Sequence, residues 1–463
     1  MTVTAQKTEK FLLICLILLA LIGWGVFLNF GDIPFDFHDW AEVNAPRIAF
    51  LKDAVEKGEL PLHMPDSSAL RGVTDRYFAL PDIIISPQVL LLRWLSVGQF
   101  ILVHTWLMIV LGFFGMLRLR KRFSLSLLGF SWVWILFCFN GHILSHYSVG
   151  HVTWGGYFLL TWFVEFVFEL LDGARGWDWI AKMAFWLSFV FLQGSFHQFV
   201  WCVIFLGFLA LSNLRCFWTI VKSGIAAALV SLFRILPPAM QMGAFDDDFL
   251  GGYRTPIQML NAFLKIIPPE DSLNQAKTGA VLGWWEFDHY IGFAAMLFLA
   301  AGAICWMILR KREFGFPQLI VPIAVLTLFS FRNFYALMRF FRIPLFSGER
   351  VSSRFLIIPF VFILILAFAS LETFLREKKV LKWAGVIGLI PLCAELWSHL
   401  KQWKVTEAFK SFPNTPTDLT IKTVANHADP PYITALAVGL TLSLLSAVVL
   451  VILWRKSRTE KAD

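Results

Sequence analysis

The chain has 463 residues, 58% of them hydrophobic, with 48 Phe and a mean hydropathy of +0.67. That exceeds what a soluble core of this length needs, so a soluble globular protein is excluded. A transmembrane barrel is excluded as well, because its strands would alternate with period two, whereas the apolar runs here are continuous. The net charge of +8 comes with no nucleic-acid motif. The basic residues sit where anionic lipid headgroups attract them, so no nucleic acid is expected as a partner.

The first apolar run, Phe11 to Phe30, is long enough to cross ~30 Å of hydrocarbon. Lys7 and Lys10 precede it, as in a signal peptide, but GWGVFLNF offers no small-x-small cleavage site. It is read as a retained anchor. Behind it comes GDIPFDFHDW, which carries Asp32, Asp36 and Asp39. Carboxylates at a membrane edge are costly and usually functional.

A surface helix is expected from Trp40 to Gly58. Val43, Ile48, Phe50, Leu51 and Val55 alternate there with Glu42, Arg47, Lys52 and Glu56, a pattern for a helix lying in the membrane plane. Asp39 through Glu42 reads D-x-x-E, so Asp39 could also cap this helix. After GELPLH and a stretch holding Asp66, Arg71, Asp75 and Arg76, the apolar ISPQVLLLRW returns the chain to the membrane.

Hydropathy predicts an all-α polytopic bundle of about twelve transmembrane helices. They cover residues 11–30, 98–117, 124–145, 152–172, 183–193, 198–213, 217–237, 287–309, 316–336, 354–373, 381–399 and 432–454. The fifth and sixth are short and flank the polar Gln193-Gly194-Ser195-Phe196-His197-Gln198, a broken or shallow hairpin. Residues 1–463 are expected to form one transmembrane domain, without a separate soluble domain among them.

Basic residues set the orientation. Arg118, Arg120, Lys121 and Arg122, then Arg310, Lys311 and Arg312, then Arg376, Lys378 and Lys379, then Arg455, Lys456 and Arg458 all fall on one side. Arg175, Lys182, Arg215 and Lys222 join them. Both termini are then cytoplasmic. Loops 31–97, 238–286, 337–353 and 400–431 face outside. Cys15, Cys138, Cys202, Cys216, Cys305 and Cys393 lie in or beside apolar helices, so no disulfide framework is expected.

The acids able to do chemistry lie mostly in the external loops, and neither a P-loop nor GxGxxG appears. An external enzyme cannot rely on cytosolic nucleotide donors, so an activated substrate would be lipid-linked. Asp39 and Asp36 are candidates for a general base, or for an electrostatic or metal anchor at a phosphate leaving group. Glu286 and Asp288 in WWEFDHYIG could form a second acid arm, or simply sit in an aromatic belt. Arg350 and Arg354 in GERVSSRF suit a phosphate; alternatively they pair with Glu349 or with a first-loop acid. His151 and His197 are candidate substrate contacts. His142 and His146 are one helical turn apart, but three histidines without an acid partner more often bond among packed helices. Asp246, Asp247 and Asp248 read as a solvated acid run.

The order of FHDW, PRIAFLKDAVEKGELPLHMPDS, ISPQVLLLRW, GHVTWGGYFLLTWFVEFVFELL, QGSFHQFVW, WEFDHYIGFAAMLFL and ERVSSRFLIIPFVFILILAF resembles the GT-C superfamily of membrane glycosyltransferases, nearest to the bacterial YfhO-type group. The likeness runs to about residue 375. It implies sugar transfer from a polyprenyl-phosphate donor. It further implies that Asp39, with Asp36 second, is the catalytic acid, that Glu286 is the acid of a second motif, and that Arg354 meets phosphate. His63 stands where the family favours an aromatic residue after GELPL. The implied partners are the lipid-linked sugar, membrane lipids, an acceptor glycan, lipid or protein, and partner membrane subunits. The cofactor would be a divalent cation, Mg or Mn, unless arginine supplies the positive charge. A non-catalytic GT-C-like subunit and a lipid or solute transporter are the competing classes; the latter favours midplane sites and internal repeats.

Overall fold

The computed structural model describes residues 3–65, 68–241, 249–269, 274–275, 281–309, 316–341, 348–408, 410 and 424–459. Asp66, the acid run Asp246 to Asp248, the basic Arg310 to Arg312, and Arg342 lie outside them.

The regular structure of the described residues is helical, apart from a two-residue ladder pairing Asn274–Gln275 with Val281–Leu282 and isolated bridges. Its helices in chain order begin with α1 (Val3–Phe27), α2 (Ala45–Lys57), α3 (Val97–Arg122), α4 (Leu127–Phe139), α5 (Gly141–Ser148) and α6 (Leu160–Leu171). Next come α7 (Trp177–Leu192), α8 (Phe196–Ser212), α9 (Phe217–Val230), α10 (Leu232–Ala239), α11 (Pro256–Leu264) and α12 (Phe293–Leu309). The last are α13 (Ile320–Phe329), α14 (Arg332–Phe340), α15 (Ile357–Glu377), α16 (Lys379–Trp403), α17 (Val405–Ala408) and α18 (Pro430–Thr459).

Among the described residues, seven stretches are long and apolar enough to cross a membrane: Gln6–Phe27, Val97–Arg122, Leu127–Ser148, Val152–Leu171, Ser352–Glu377, Lys379–Trp403 and Pro430–Thr459. An eighth arises if Phe196–Ser212 and Leu214–Val230, bent by 117°, count as one span. Helix is found in all twelve predicted ranges, but several are too short alone. Phe293–Met307 and Pro317–Phe329 are such pieces. The cause is visible at α13, where the Tyr253 N–H bonds Ser330 O, and Tyr253 O accepts from Arg332 N, so a passing loop stops the helix.

Local chemistry sets the helix starts. Ser96 and Gln99 form a reciprocal capping box at α3. Ser126 accepts from Gly129 N at α4, and Asn140 interrupts the next span, capping α5 through Ile143 N. The break between α7 and α8 lies where the polar Gln193–Gln198 run predicts it. Gly194 has φ +76°, and a Cβ there would meet Thr153 and the Ile83 backbone within about 3 Å.

α15 is enclosed by other helices nearly throughout, as an all-round apolar helix should be. α16 and α18 instead turn Trp383, Ile387, Ile390, Leu444 and Val448 outward, the surface that lipid would cover. The basic turns are less bare than composition suggests. Arg118 pairs with Glu169 at 2.9 Å, and Arg122 grips the buried Glu165 at 2.8 and 3.1 Å.

The helix expected from Trp40 to Gly58 forms, but not as a bare amphipathic surface helix. A π-helical turn, Trp40–Asn44, leads into α2, where nine of 13 residues are buried, Arg47 and Asp53 among them. The predicted polar face fails at Arg47. It turns inward, donating from Nε to Ala69 O at 2.9 Å and pairing with Asp82 at 3.2 Å. The rest of the first loop covers α2: Lys52 reaches Leu92 O in the 3-10 segment Pro87–Arg93. An alternating stripe cannot show that the chain folds back over both faces.

Candidate active site

Arg354 stands on the 3-10 turn Ser352–Leu356, just ahead of α15, and is 7% exposed. Its Nε and Nη2 donate to the two carboxylate oxygens of Glu286, both at 2.7 Å. Its Nη1 donates to Glu349 at 3.2 Å. The guanidinium also lies 5.1 Å over the Trp154 ring. Ser353 Oγ bonds Glu286 O, which fixes the turn Trp284–Glu286 against the same segment.

Glu349 is equally occupied. One oxygen accepts from His197 Nδ1 at 2.9 Å and Trp201 Nε1 at 3.1 Å. The other accepts from the Val351 N–H. Burial opposes its charge, but His197 and Arg354 prevail and bring the carboxyl down to about 2. Glu286 is likewise held well below the carboxylate range, with Arg354 and His146 outweighing burial. His146 Nε2 lies 3.4 Å from Glu286.

Asp39 reaches this cluster from the first loop. Its Oδ2 lies 2.8 Å from His151 Nε2, and its Oδ1 lies 3.5 Å from His38. Burial alone would lift its carboxyl, but His38, His151 and Arg71 hold it well below the usual range. Asp39 also acts electrostatically on Arg354 and Arg350. The capping-box alternative does not form, since the Asp39 side chain makes no cap bond to the following turn.

The chain is brought to this meeting by specific pins. Trp40 Nε1 donates to Ser148 O at 2.9 Å and Asn44 Nδ2 to Gly150 O at 2.8 Å. Gly150 has φ +106°, and a Cβ there would sit 2.5 Å from Trp40 N. Only glycine permits that backbone approach beside His151. His38 and Arg71 adopt left-handed φ of +44° and +63°. Such strain in non-glycine residues persists only where surroundings enforce it, and it clusters at functional sites.

Several expectations are revised. Glu286 is no free acid arm, because both its oxygens are bound. Arg354 is no open phosphate site, because the buried guanidinium finds its anions within the chain. The Glu349 alternative therefore forms. Asp288 does not face the cluster: it is fully buried, accepting from Tyr290 N and lying 2.8 Å from His399 Nε2 on α16. It is a pin between segments rather than a substrate contact. Asp36 is half-buried, and its Oδ1 has no hydrogen-bond partner among the described residues. His197 is present in the cluster and 32% exposed. Arg350 lies 5.1 Å over Phe249. Burial, Arg71 and Arg354 lower its pKa to about 10, against Asp39 and Asp82.

Sequence reasoning passed over Arg71, Asp82 and Trp154 as site residues. Asp82 is an acid inside an apolar run, a signal in itself. It is held below the carboxylate range because Arg47, Arg71 and His197 overcome its burial. Arg71, 41% exposed, loosely faces it at 3.8 Å. Arg71 and Arg350 thus form a positive margin beside Asp39.

A separate apolar groove of about 380 Å³ runs between α1, α4 and α16, lined by Leu19, Gly23, Ile135, Phe139 and Ala394. Trp397 and Leu400 also line a polar mouth bearing Lys401, Lys404 and Lys410. No family model, curated protein or solved structure matches this chain.

Proposed function

We propose that this protein is a membrane glycosyltransferase of the GT-C kind. It moves a sugar from a polyprenyl-phosphate donor to a hydroxyl acceptor on a glycan, lipid or protein. The observation that carries the reading is the Asp39–His151 pair at 2.8 Å, at the edge of the buried Arg354 cluster. In the reaction, the acceptor oxygen bonds the anomeric carbon as the carbon–oxygen bond to phosphate breaks. The phosphate departs with the electron pair, and the acceptor proton passes to Asp39.

Asp39 is 31% exposed, so a hydroxyl can approach it, while His151 fixes its orientation. Its low proton affinity makes it a weak base in the resting state. It holds the hydroxyl by a charge-assisted bond and takes the proton once the forming bond has acidified it. Arg71 and Arg350 provide positive charge for the departing phosphate. Glu286, Glu349 and Arg354 then position these groups rather than touch substrate. The 380 Å³ groove and its lysine mouth, separate from Asp39, suit a polyprenyl phosphate held away from the transfer step, as a waiting donor or as the released carrier.

Mg or Mn is the alternative source of positive charge. The site brings together no group of three metal-ligating side chains among the described residues, so arginine is favoured. On this reading the chain spans a bacterial inner membrane about twelve times, with both termini cytoplasmic and the site outside.

A non-catalytic subunit of a membrane complex is the second reading. It is favoured by Arg354, whose charge is already answered within the chain. The test is sugar transfer by purified protein in vesicles from polyprenyl-phosphate sugars, compared with Asp39→Asn. Transfer that vanishes in the variant supports the enzyme. Transfer unchanged in Asp39→Asn, or neither turnover nor binding at saturating donor, overturns it.

A further inference from the structure

We propose that His63, Asp75 and His427 form a binding site for a divalent transition metal, zinc above all, which staples the first long loop to the segment leading into α18. One ring nitrogen from each histidine and one oxygen of Asp75 lie within 4.8 Å of one another. The site is independent of Asp39 and of the transfer reaction.

Three segments carry these ligands, and they are already tied together. Met64 N donates to Asp75 O, and Tyr77 N to Leu62 O, at 2.8 and 2.9 Å. Asn426 Oδ1 accepts from the Leu62 and His63 amides, while its Nδ2 donates to Leu60 O. The two imidazoles stack with centroids 3.8 Å apart. A tetrahedral zinc with bonds near 2.0–2.1 Å needs ligand atoms about 3.3 Å apart. Asp75 and His427 have side chains 44% and 53% exposed, free enough to close that difference.

His63 supplies the independent observation. It is fully buried, and its Nδ1 has no hydrogen-bond partner among the described residues. A buried imidazole nitrogen left unpaired is costly. The other nitrogen, Nε2, faces Asp429 at 3.4 Å. Asp429 is itself gripped by Arg76 at 2.6 and 3.0 Å. A carboxylate behind one ring nitrogen, with the second nitrogen open, is the arrangement that orients a metal-binding histidine. His427 Nδ1 likewise faces Ala428 O at 3.4 Å, while its Nε2 lies 2.7 Å from Asp75. In the metal-free state His427 serves as Asp75's partner, and a cation would replace that pairing. Two imidazoles and one carboxylate select zinc over magnesium or calcium, which prefer all-oxygen shells. The fourth position is left for water.

The test uses untagged full-length protein in detergent, stripped with chelator and dialysed against zinc. We expect one bound zinc per chain, a rise in unfolding temperature on adding zinc, and the visible absorption of tetrahedral cobalt(II) on substitution. His427→Ala changes an exposed side chain and should fold normally, yet lose all three. Asp429→Asn should keep the site but weaken zinc binding about 10- to 100-fold. Zinc bound equally by wild type and His427→Ala would overturn the proposal, as would no zinc bound by the wild type.

Discussion

Arg354 meets Glu286 through two parallel hydrogen bonds of 2.7 Å inside the bundle, and its third donor goes to Glu349. Taking such charges out of water is costly, and the bidentate geometry offsets that cost. The carboxylates belong to two separate loops, so the guanidinium ties both to the start of α15. Removing one partner strands a buried charge. Glu286→Gln should therefore destabilise the protein by about 3–5 kcal/mol, read as a lower unfolding temperature in detergent. A melting curve matching wild type would deny the pair this structural role.

Asp39→Asn keeps the shape of the side chain but removes its charge and its ability to accept the proton. Transfer should fall about 10²- to 10⁴-fold with little change in stability, because Asp39 is partly exposed. His151→Gln should reduce turnover by less, since the carboxylate remains. Steady-state kinetics and thermal unfolding on the same preparations separate these effects. Equal turnover in Asp39→Asn and wild type removes Asp39 from the chemistry.

Acid should unfold the cluster through Glu349. Its folded pKa, about 2, lies below the ordinary 4.5. A depressed carboxyl adds stability above the unfolded pKa, and that gain is lost as pH falls toward the folded value. Stability should therefore drop between pH 4.5 and about 2. Glu349→Gln should show a lower plateau at neutral pH and a shallower acid limb. Parallel acid limbs in the two proteins would count against this origin.

Ala394 lines the apolar groove and is exposed to it. Ala394→Phe should fill the groove and weaken binding of a polyprenyl phosphate several-fold, without unfolding the chain. Lys401→Glu with Lys404→Glu should do the same by repelling the headgroup. Photo-crosslinking with a labelled polyprenyl phosphate measures both. Undiminished labelling would place the lipid elsewhere.

Chelator distinguishes the two sources of positive charge. With Arg71 and Arg350 as the source, transfer persists in chelator, and Arg350→Ala lowers it. Transfer abolished by chelator and restored by Mg or Mn would assign the charge to a cation instead.

The membrane character, the helical class and the break near Gly194 were legible in the sequence. Each depends on residues adjacent in the chain, and hydropathy or a polar interruption is summed over such neighbours. Asp39 stood out for the same reason, as an acid directly behind an apolar run. The inward turn of Arg47 was not legible, nor was the His63–His427 stack or the choice of Glu286 over phosphate as the partner of Arg354. Those are contacts between segments far apart in sequence, decided by which helices pack together. A guanidinium at a helix start demands an anion, but its composition alone does not say which one. Only the folded chain, by carrying Glu286 and Glu349 to within hydrogen-bond reach and pinning Asp39 against His151 through Trp40, Asn44 and Gly150, made that choice.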